Sequence, residues 1–352
     1  MLKSKDTGGL GIAVDIGTTN IKMCTVSCVG KRILGQCRLK NSQTEYGKDV
    51  MGRIAHACSG EGDRLTSLVR EDIAGGLRQL GAEKAERVAI VGNGVMTALF
   101  WGDSLEGMKE HPFRLSHMEF PVREDMITAP AAAPFIGGDV VAGLSVLPES
   151  GELFLFLDLG TNGEMILGTR EHMLGTSVAA GPAFECYNEN GSTGVELLAE
   201  AYREGILDET GLLSDAWFES GYHGLTQDMI RDLQTAKAAV RTGVDFLLGQ
   251  YEKKYGTDVL CAVKHVYLAG GMGVLSEEAC LTLGMLPKEF AGKVQFLGNT
   301  ALQGAVRLLT DEAAYEEMLF LSKHIISYPL AAWSEFNERY IANINFPLKE
   351  ER

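Results

Sequence analysis

The chain has 352 residues, of which 45% are hydrophobic, a length and composition typical of a globular protein with two domains. Its 32 Lys and Arg residues against 47 Asp and Glu residues give a formal net charge of −15, which argues against a nucleic-acid partner because such a surface repels phosphate. No apolar run approaches the roughly 20 residues of a membrane helix, and the start does not resemble a signal peptide, so we expect a cytoplasmic protein with no membrane partner.

The first half of the chain begins with a predicted antiparallel meander around a tight turn at 17–19. Its strands are predicted by three apolar runs: 11–15, 21–26 and 32–39. Helical spacing follows in several segments: 49–57, 64–80, 97–102 and 140–147. A buried strand at 87–91 ends in Gly-Asn-Gly, and the Pro/Ala stretch 129–134 predicts a linker.

The second half repeats this order after 148–151, where we place the domain boundary. Four segments come first: a strand at 153–157, a turn at 158–163, a returning strand at 164–168 and a Gly/Ala-rich loop at 175–182. The later elements are mostly helical: helices at 195–204 and 228–251, a strand at 265–269, and a helical tail from Asp311 to Phe346-Pro347. The repeat predicts two similar domains, 1–148 and 149–352.

The seven cysteines are scattered and form no C-x2-C pair. Their odd number and spacing argue against a disulfide framework, and zinc or iron–sulfur ligand sets need closer clustering. We interpret the cysteines as structural thiols. The seven histidines are equally dispersed, and we assign none to a metal.

The two predicted turns share one sequence, Asp-hydrophobic-Gly-Thr. A glycine turn between strands exposes consecutive backbone N–H groups that can bind an anion, and glycine lets a phosphate approach closely. One such turn alone could equally be an ordinary hairpin, but a second copy in the corresponding place favours phosphate binding. The candidate phosphate ligands are Gly17, Thr18, Thr19, Gly160, Thr161, Asn162 and Gly163. The carboxylates just before the turns, Asp15 and Asp158, can hold a hydrated Mg²⁺ between the domains.

Three further groups are candidate nucleotide ligands. Lys22, on the returning strand, could reach a terminal phosphate or could be a solvated strand lysine. Gly270-Gly271-Met272-Gly273 follows a strand, and an adenine-side turn fits it better than a dinucleotide fingerprint because no acidic residue follows at the required distance. Gln234 and Lys237 lie one helical turn apart and could meet ribose and base, or could be surface residues.

Asp139 is the candidate catalytic residue. It lies at a predicted helix N-terminus, where a carboxylate could orient or deprotonate a water that attacks the γ-phosphate. The alternative is that Asp139 is an N-cap, a role that aspartate fills well. One residue can serve both roles, so both interpretations stay open.

The order of these elements resembles the actin/sugar-kinase/heat-shock-chaperone superfamily. The ordered features are a phosphate turn, an interdomain aspartate, a second phosphate turn and the adenine-side glycines. The resemblance implies an α/β, two-domain actin-like ATPase fold of the ribonuclease H-like type. Each domain would be a mixed sheet flanked by helices, with ATP in the interdomain cleft.

Within that superfamily, the chain is most similar to reductive activators of corrinoid proteins. The matching segments run in order along nearly the whole chain: 41–43, 47–54, 92–96, 112–113, 158–164, 179–185, 237–243, 298–302 and 333–347. As the resemblance implies, such activators use ATP to return an inactive Co(II) corrinoid to the Co(I) state needed for methyl transfer. ATP and Mg²⁺ are then the expected cofactors, and a corrinoid protein of a methyltransferase system is the expected partner.

The chain departs from the family pattern at Ser42, where a proline is usual, at Ala98, where a histidine is common, and in its cysteines. Family members commonly carry an N-terminal 2Fe–2S ferredoxin-like domain, and no cysteine set here has ferredoxin spacing. We therefore expect no iron–sulfur cluster in this chain, and electrons from another domain or from an iron–sulfur protein.

Two other functions remain as alternatives. A small-molecule kinase shares the superfamily fold but would need an acceptor site near Asp139, and a nucleotide-gated binding module would bind ATP without hydrolysing it. The apolar tail, which includes Phe320, Leu321, Phe336, Tyr340 and Phe346, could pack on its own core or form a homodimer face.

Overall fold

The computed structural model describes residues 9–185, 194–256, 258–270, 275–330 and 333–348. The chain divides into two compact units, Met1–Pro148 with Asn299–His324, and Glu149–Gly298 with Ile325–Arg352. The predicted domains, 1–148 and 149–352, are each continuous in sequence. The units are not, because the segment 299–324 returns to the first unit.

The first unit contains a five-stranded mixed sheet in the order β3-β2-β1-β4-β5. Its strands are β1 Leu10–Ile16, β2 Asn20–Ser27, β3 Arg32–Lys40, β4 Arg87–Gly92 and β5 Met126–Thr128. The first three strands are antiparallel neighbours, whereas β4 and β5 run parallel to β1. Successive residues of β1, from Ile12 to Val14, are fully buried, as expected for a strand covered on both faces of its sheet.

The second unit repeats this topology. Its strands are β6 Phe154–Leu159, β7 Asn162–Thr169, β8 His172–Ala179, β9 His265–Ala269, β10 Val294–Gly298 and β11 Ile325–Ser327. The order β10-β9-β6-β7-β8-β11 is that of the first sheet with one strand added at the edge. The antiparallel meander β6-β7-β8 and the parallel pairs β6-β9 and β9-β10 match those of the first unit. The predicted repeat is therefore present as a duplicated sheet.

Helices flank both sheets, which confirms the predicted α/β class. In chain order the helices of the described residues are α1 Val50–His56, α2 Gly62–Gln79, α3 Gly94–Trp101, α4 Gly138–Ser145, α5 Gly194–Arg203, α6 Gln227–Tyr255, α7 Val259–Ala262, α8 Glu277–Thr282, α9 Thr300–Thr310, α10 Ala314–His324 and α11 Phe336–Ala342. A π-helical turn at Ala57–Glu61 bends the chain between α1 and α2, with Gly60 at φ 103°. No helix in the described ranges is long and apolar enough to cross a membrane.

Helix α9 belongs to the core of the first unit although it comes late in the sequence. It packs against α4, β1 and β4. The approach to α4 is close, because a Cβ on Gly304 would lie 2.4 Å from the backbone oxygen of Ala142. Leu302 and Leu308 of the same helix are buried as well. A helix from late in the sequence therefore covers part of the first sheet.

Three local predictions are wrong. The predicted loop at 175–182 is strand β8 as far as Ala179, because its small residues pair along β7. The predicted linker at 129–134 lies within the first unit, where Ala129, Ala131 and Ala133 are buried. The predicted helical tail is interrupted by β11, which pairs in parallel with β8.

The apolar tail packs largely on the units' own cores. Leu321 and Phe346 are 1% and 3% exposed, and Phe336 and Tyr340 pack against the core of the second unit. Phe320 is the exception, with 46% of its surface exposed. The homodimer stays a prediction.

Candidate functional site

The backbone of the first turn is held from one side by the segment 41–53. The Gly17 carbonyl accepts a hydrogen bond from Asn41 Nδ2 at 2.9 Å, and the Thr18 carbonyl accepts one from Arg53 Nη2. The Thr19 carbonyl accepts the Asn41 backbone N–H at 2.9 Å. Because C=O and N–H of a trans peptide point in opposite directions, these bonds turn the N–H groups of Thr18 and Thr19 the other way. Such an array of N–H groups can bind an anion.

Gly17 cannot be replaced without strain in this turn. A Cβ at this position would lie 2.6 Å from the backbone oxygen of Asn20, closer than real contacts allow. The tight turn between β1 and β2 therefore needs glycine for its own packing, in addition to any approach of a ligand.

Arg53 is a fully buried cation directly behind the turn. Besides Thr18, it donates to Gln43 Oε1 at 3.1 Å, to the Gly47 carbonyl at 3.3 Å and to Met96 Sδ at 2.8 Å. All of these acceptors are uncharged. Burial lowers the pKa of the guanidinium to about 10, so that it stays charged at neutral pH. The turn therefore lies in front of a fixed positive charge.

Asp15 ends β1 with its carboxylate held by two neighbours. Asn299 Nδ2 donates to Asp15 Oδ2 at 3.0 Å, and Lys22 Nζ lies 4.0 Å from the same oxygen. Lys22 is also the cross-strand partner of Asp15 in the β1–β2 ladder. Burial raises the pKa of Asp15, and Lys22 and the Asn299 bond oppose this effect. Lys22 therefore lies beside Asp15, and its contact with a phosphate stays a prediction.

The second turn, between β6 and β7, is open on its glycine. Its backbone closes through a hydrogen bond of 2.8 Å from Gly160 N–H to the Asn162 carbonyl. A Cβ on Gly160 would meet nothing nearer than that carbonyl, at 3.8 Å. Protein packing does not require glycine there, whereas the close approach of a ligand would. Thr161 is 6% exposed, Asn162 begins the pairing of β7 with β8 opposite Ala179, and Gly163 pairs with Val178.

The two turns differ in the charge opposite their aspartates. In the first sheet the cross-strand partner of Asp15 is Lys22, and in the second the partner of Asp158 is Glu164. Glu164 is 8% exposed and accepts a hydrogen bond from Ser177 Oγ at 3.4 Å. The duplicated strand–turn–strand unit therefore carries a cation at this position in one copy and an acid in the other.

Asp139 lies in the first turn of α4, whose N-cap is Gly137. The alternative that Asp139 is the N-cap is therefore wrong, although its Oδ1 accepts the N–H of Val140 at 2.8 Å. A Cβ on Gly137 would lie 2.4 Å from Cα of Asn93, so the start of α4 lies directly against Asn93. Asn93 in turn donates from Nδ2 to Thr18 Oγ1 at 3.1 Å. Within the first unit, the start of α4 is thus linked to the first turn through Asn93.

Gly270 lies beside the end of β6. Its φ of +131° is a conformation that other residues rarely adopt, and a Cβ would lie 2.0 Å from the Leu159 carbonyl. Its N–H donates to the Gly298 carbonyl at 3.0 Å. The predicted adenine-side glycine is therefore adjacent to the second turn. Gly271 and Met272 lie outside the described residues.

Gln234 and Lys237 donate hydrogen bonds to protein backbone. Gln234 Nε2 donates to the carbonyls of Thr210 and Ile344 at 3.0 and 3.4 Å. Lys237 Nζ donates to the Asn345 carbonyl at 2.8 Å and lies 5.3 Å from the ring centre of Phe346. Both side chains are buried on α6. A contact with ribose or base, which stays a prediction, would have to replace bonds to the C-terminal segment.

Asn41, Arg53, Asn93 and Asn299 were given no role by the sequence analysis. The three asparagines each precede a helical segment, and Asn at that place is an N-cap signal. The signal predicts the cap but not the second bond that each makes to the first turn.

Among the described residues, no group of three or more His, Cys, Asp or Glu side chains is placed to hold a metal. Two aspartates with bound waters would be a smaller ligand set.

Known proteins match the chain along nearly its whole length. The RACo middle region matches residues 10–148, and the C-terminal domain of RACo, the ASKHA domain, matches residues 152–193 and 216–352. The corrinoid activation enzyme RamQ of Eubacterium limosum is 27% identical, with 96% of this chain and 70% of RamQ covered. A Co(II) methylated amine-specific corrinoid protein reductase of Methanosarcina barkeri is 23% identical, with 80% of this chain and 52% of the reductase covered.

A solved structure has the same fold. The reductive activator for corrinoid, iron–sulfur protein superposes with a TM-score of 0.85 at 24% identity, covering 99% of this chain and 67% of that one. At this identity the likeness shows the fold alone. The relatives are longer than this chain, which spans between 52% and 70% of their length.

Proposed function

The chain belongs to the RACo family through both its middle region and its ASKHA domain, and from this premise we propose that it is an ATP-dependent activator of a corrinoid protein. In the proposed reaction one electron passes from a reduced iron–sulfur donor, in another domain or protein, to a protein-bound Co(II) corrinoid. The donor is oxidised and the cobalt becomes Co(I). RamQ and the Methanosarcina barkeri reductase, whose names describe corrinoid activation and corrinoid-protein reduction, support this class of partner.

The family membership of both halves carries the proposal, and the first turn agrees with it chemically. Three carbonyls of the turn accept hydrogen bonds on one side, so the N–H groups of the same peptides point to the other side. The buried Arg53 lies on the carbonyl side. This arrangement suits a polyanion such as the triphosphate of ATP. In the second turn, the open space at Gly160 suits close approach of a phosphate.

Asp15 and Asp158 are the proposed Mg²⁺ ligands. Mg²⁺ keeps several waters and needs few protein carboxylates, which fits one aspartate at the end of β1 and one at the end of β6. A bound Mg²⁺ would neutralise and orient phosphate oxygens. The chain's own contribution is to hold each carboxylate in place, as Asn299 holds Asp15.

Asp139 is the proposed residue that orients a water for attack on the γ-phosphate. Its half-buried carboxylate lies in the first turn of α4, and the N-cap of that helix, Gly137, lies against Asn93, which bonds Thr18. Hydrolysis is useful here because reduction to Co(I) is uphill. ATP can drive it only by favouring one state of the complex with the corrinoid protein over another.

The proposal is tested by measuring ATP turnover with and without a Co(II) corrinoid methyl carrier, together with the cobalt absorbance under a low-potential reductant. We expect slow turnover that rises with the carrier, and ATP-dependent formation of Co(I). Turnover indifferent to every corrinoid protein, or efficient phosphorylation of a sugar or polyol, would overturn the proposal.

Asp139→Asn gives the matching variant test. Loss of the carboxylate should lower ATP turnover by about 10²-fold or more, since a positioned general base contributes about 10²–10⁴-fold. Asp228→Asn is the control, because Asp228 is an exposed carboxylate in the first turn of α6. If Asp139→Asn binds and turns over ATP like the wild type, Asp139 is not the water-orienting residue.

A further inference from the structure

We propose that Asn41, Asn93 and Asn299 are positioning residues that fix the first phosphate turn, each using one end of its amide to cap a helix and the other to hold the turn. The inference deepens the proposed function and rests on its ATP-binding part. Asn41 caps the 3₁₀ helix Ser42–Glu45, Asn93 caps α3 and Asn299 caps α9. Three elements that are far apart in sequence thus begin beside one turn.

The oxygen of each amide makes the cap. Asn41 Oδ1 accepts the Gln43 N–H at 3.0 Å, and Asn93 Oδ1 accepts the Met96 N–H at 2.9 Å. Asn299 Oδ1 accepts the Leu302 N–H at 3.0 Å. Capping uses the acceptor alone, so the amide nitrogen is left to donate elsewhere.

The nitrogen of each amide holds a different part of the turn. Asn41 Nδ2 binds the Gly17 carbonyl at 2.9 Å, which fixes the backbone. Asn93 Nδ2 binds the Thr18 hydroxyl at 3.1 Å, and Asn299 Nδ2 binds the Asp15 carboxylate at 3.0 Å. Backbone, hydroxyl and carboxylate are the three kinds of group that the turn offers to a Mg²⁺-nucleotide. Fixing them before binding is preorganisation.

The choice of asparagine follows the turn and not the helices. The other side-chain caps in the described chain are aspartate, threonine or serine and not asparagine: Asp49, Thr226, Asp258 and Ser276. Serine, threonine and aspartate cap about as well as asparagine. Only asparagine adds an NH₂ donor on the same group. Every asparagine that caps a described helix with its side chain also bonds the first turn.

Asparagine-to-serine substitutions separate the two roles. Serine keeps a capping oxygen without adding charge, and it replaces the amide NH₂ that reaches the turn with a shorter hydroxyl on the capping oxygen itself. We expect Asn93→Ser and Asn299→Ser to leave the melting temperature of the nucleotide-free protein near that of the wild type. Their Kd for Mg²⁺ with a non-hydrolysable ATP analogue should rise about 10–100-fold, the usual effect of removing a group that orients a ligand. Hydrogen–deuterium exchange of the 15–22 segment in the nucleotide-free protein should also increase.

Asp258→Ser is the control, because it exchanges a cap that has no bond to the turn. Its Kd should equal that of the wild type. Asparagine variants that are folded and bind the analogue within twofold of the wild type would overturn the inference. A wild-type chain that does not bind the analogue would overturn both proposals. If the wild type binds the analogue but no Co(II) corrinoid protein changes its ATP turnover, only the proposed function is contradicted.

Discussion

Burying the guanidinium of Arg53 costs free energy, and hydrogen bonds to four neighbours offset that cost. The bond to the Thr18 carbonyl polarises the peptide whose N–H belongs to Thr19. The positive charge and the polarised peptide act in the same direction, toward attraction of an anion. Arg53 therefore contributes to the first turn without contacting a ligand.

Comparing Arg53→Lys with Arg53→Met tests the role of this charge. Both variants lose the planar fork of donors, but only the lysine keeps the positive charge. We expect the methionine variant to bind Mg²⁺ with the ATP analogue about tenfold more weakly than the lysine variant. The difference should largely persist when salt is added, because a buried charge is screened little, and titration calorimetry at two ionic strengths measures the difference and its salt dependence.

Arg70→Met is the matched control. Arg70 is an exposed arginine of the same unit that donates to the Phe100 carbonyl at 2.9 Å. Its loss should leave the affinity unchanged. Equal affinities of the two Arg53 variants at low salt would show that the charge has no part in binding.

Sequence reasoning found the residues of the turns but not the residues behind them. Asp15 and Gly17 could be predicted because a repeated strand–glycine turn is visible in one stretch of sequence. Asn93 and Asn299 reach the turn only after folding brings α3 and α9 to it, so nothing local predicts their second hydrogen bond. Arg53 was unpredictable for the same reason, since a buried arginine has no pattern of its own in the sequence.

Strands and helices with strong apolar patterns were predicted well, and small residues caused the errors. In β8 the stretch from Gly175 to Ala179 looks like a loop in isolation, yet it pairs with β7 along its length. The strand is therefore decided by a partner rather than by propensity. In the stretch 129–134, small side chains permit burial against α4, and a Cβ on Gly138 would lie 2.6 Å from the Ala129 carbonyl.

The C-terminal segment 344–348 covers the predicted nucleotide-binding face of α6. Its Phe346 ring lies 5.0 Å from that of Tyr202, and its backbone accepts hydrogen bonds from Gln234 and Lys237. Burial, together with the nearby charge of Arg241, lowers the pKa of Lys237 to about 7. The segment thus keeps an ammonium group away from water at a cost to stability.

This arrangement predicts a pH-dependent stability that depends on Lys237. An unfolded lysine has a pKa near 10.4, so between about pH 7 and 10 the unfolded chain binds a proton that the folded chain does not. The free-energy cost of burying the charged Lys237 is therefore fully present below about pH 7, and it falls as the pH rises above this value. From pH 7 to 9 the wild type should gain up to about 1.4 kcal/mol per pH unit in free energy of unfolding relative to Lys237→Met.

Urea denaturation of both proteins across this pH range measures the difference. Subtracting the Lys237→Met values removes the titration of all other groups. A difference that stays constant from pH 7 to 9 would show that Lys237 keeps an ordinary pKa in the folded protein.

The first unit of the molecule is built from two separate stretches of the sequence, 1–148 and 299–324. Helix α9 packs on β1, β4 and α4, and Asn299 at its start bonds Asp15. Arg307 on the same helix is paired with Asp311 and Glu317 and donates to the Ser145 carbonyl. The segment 1–148 by itself therefore lacks one side of its core. A continuous domain was the natural prediction from sequence, because nothing in α9 indicates which sheet it covers.

We expect the fragment 1–148 to be unstable when expressed alone. Joining 299–324 to it through a Gly/Ser linker should restore a cooperative melting transition, because α9 buries Ala301, Leu302, Ala305, Leu308 and Leu309. Circular dichroism melting compares the two fragments. Joining 325–348 by the same linker is the control, since that segment belongs to the second unit. Equal melting of 1–148 with and without 299–324 would contradict the expectation.

The duplicated sheets invite a view of the protein as two interchangeable halves, and the position opposite each turn aspartate rules this out. Two identical repeats would have the same charge opposite both turn aspartates, so charge would not distinguish the two turns. Here one repeat has Lys22 and the other has Glu164 at the matching place in the ladder. Exchanging one strand–turn–strand copy for the other would therefore reverse the charge beside the turn aspartate.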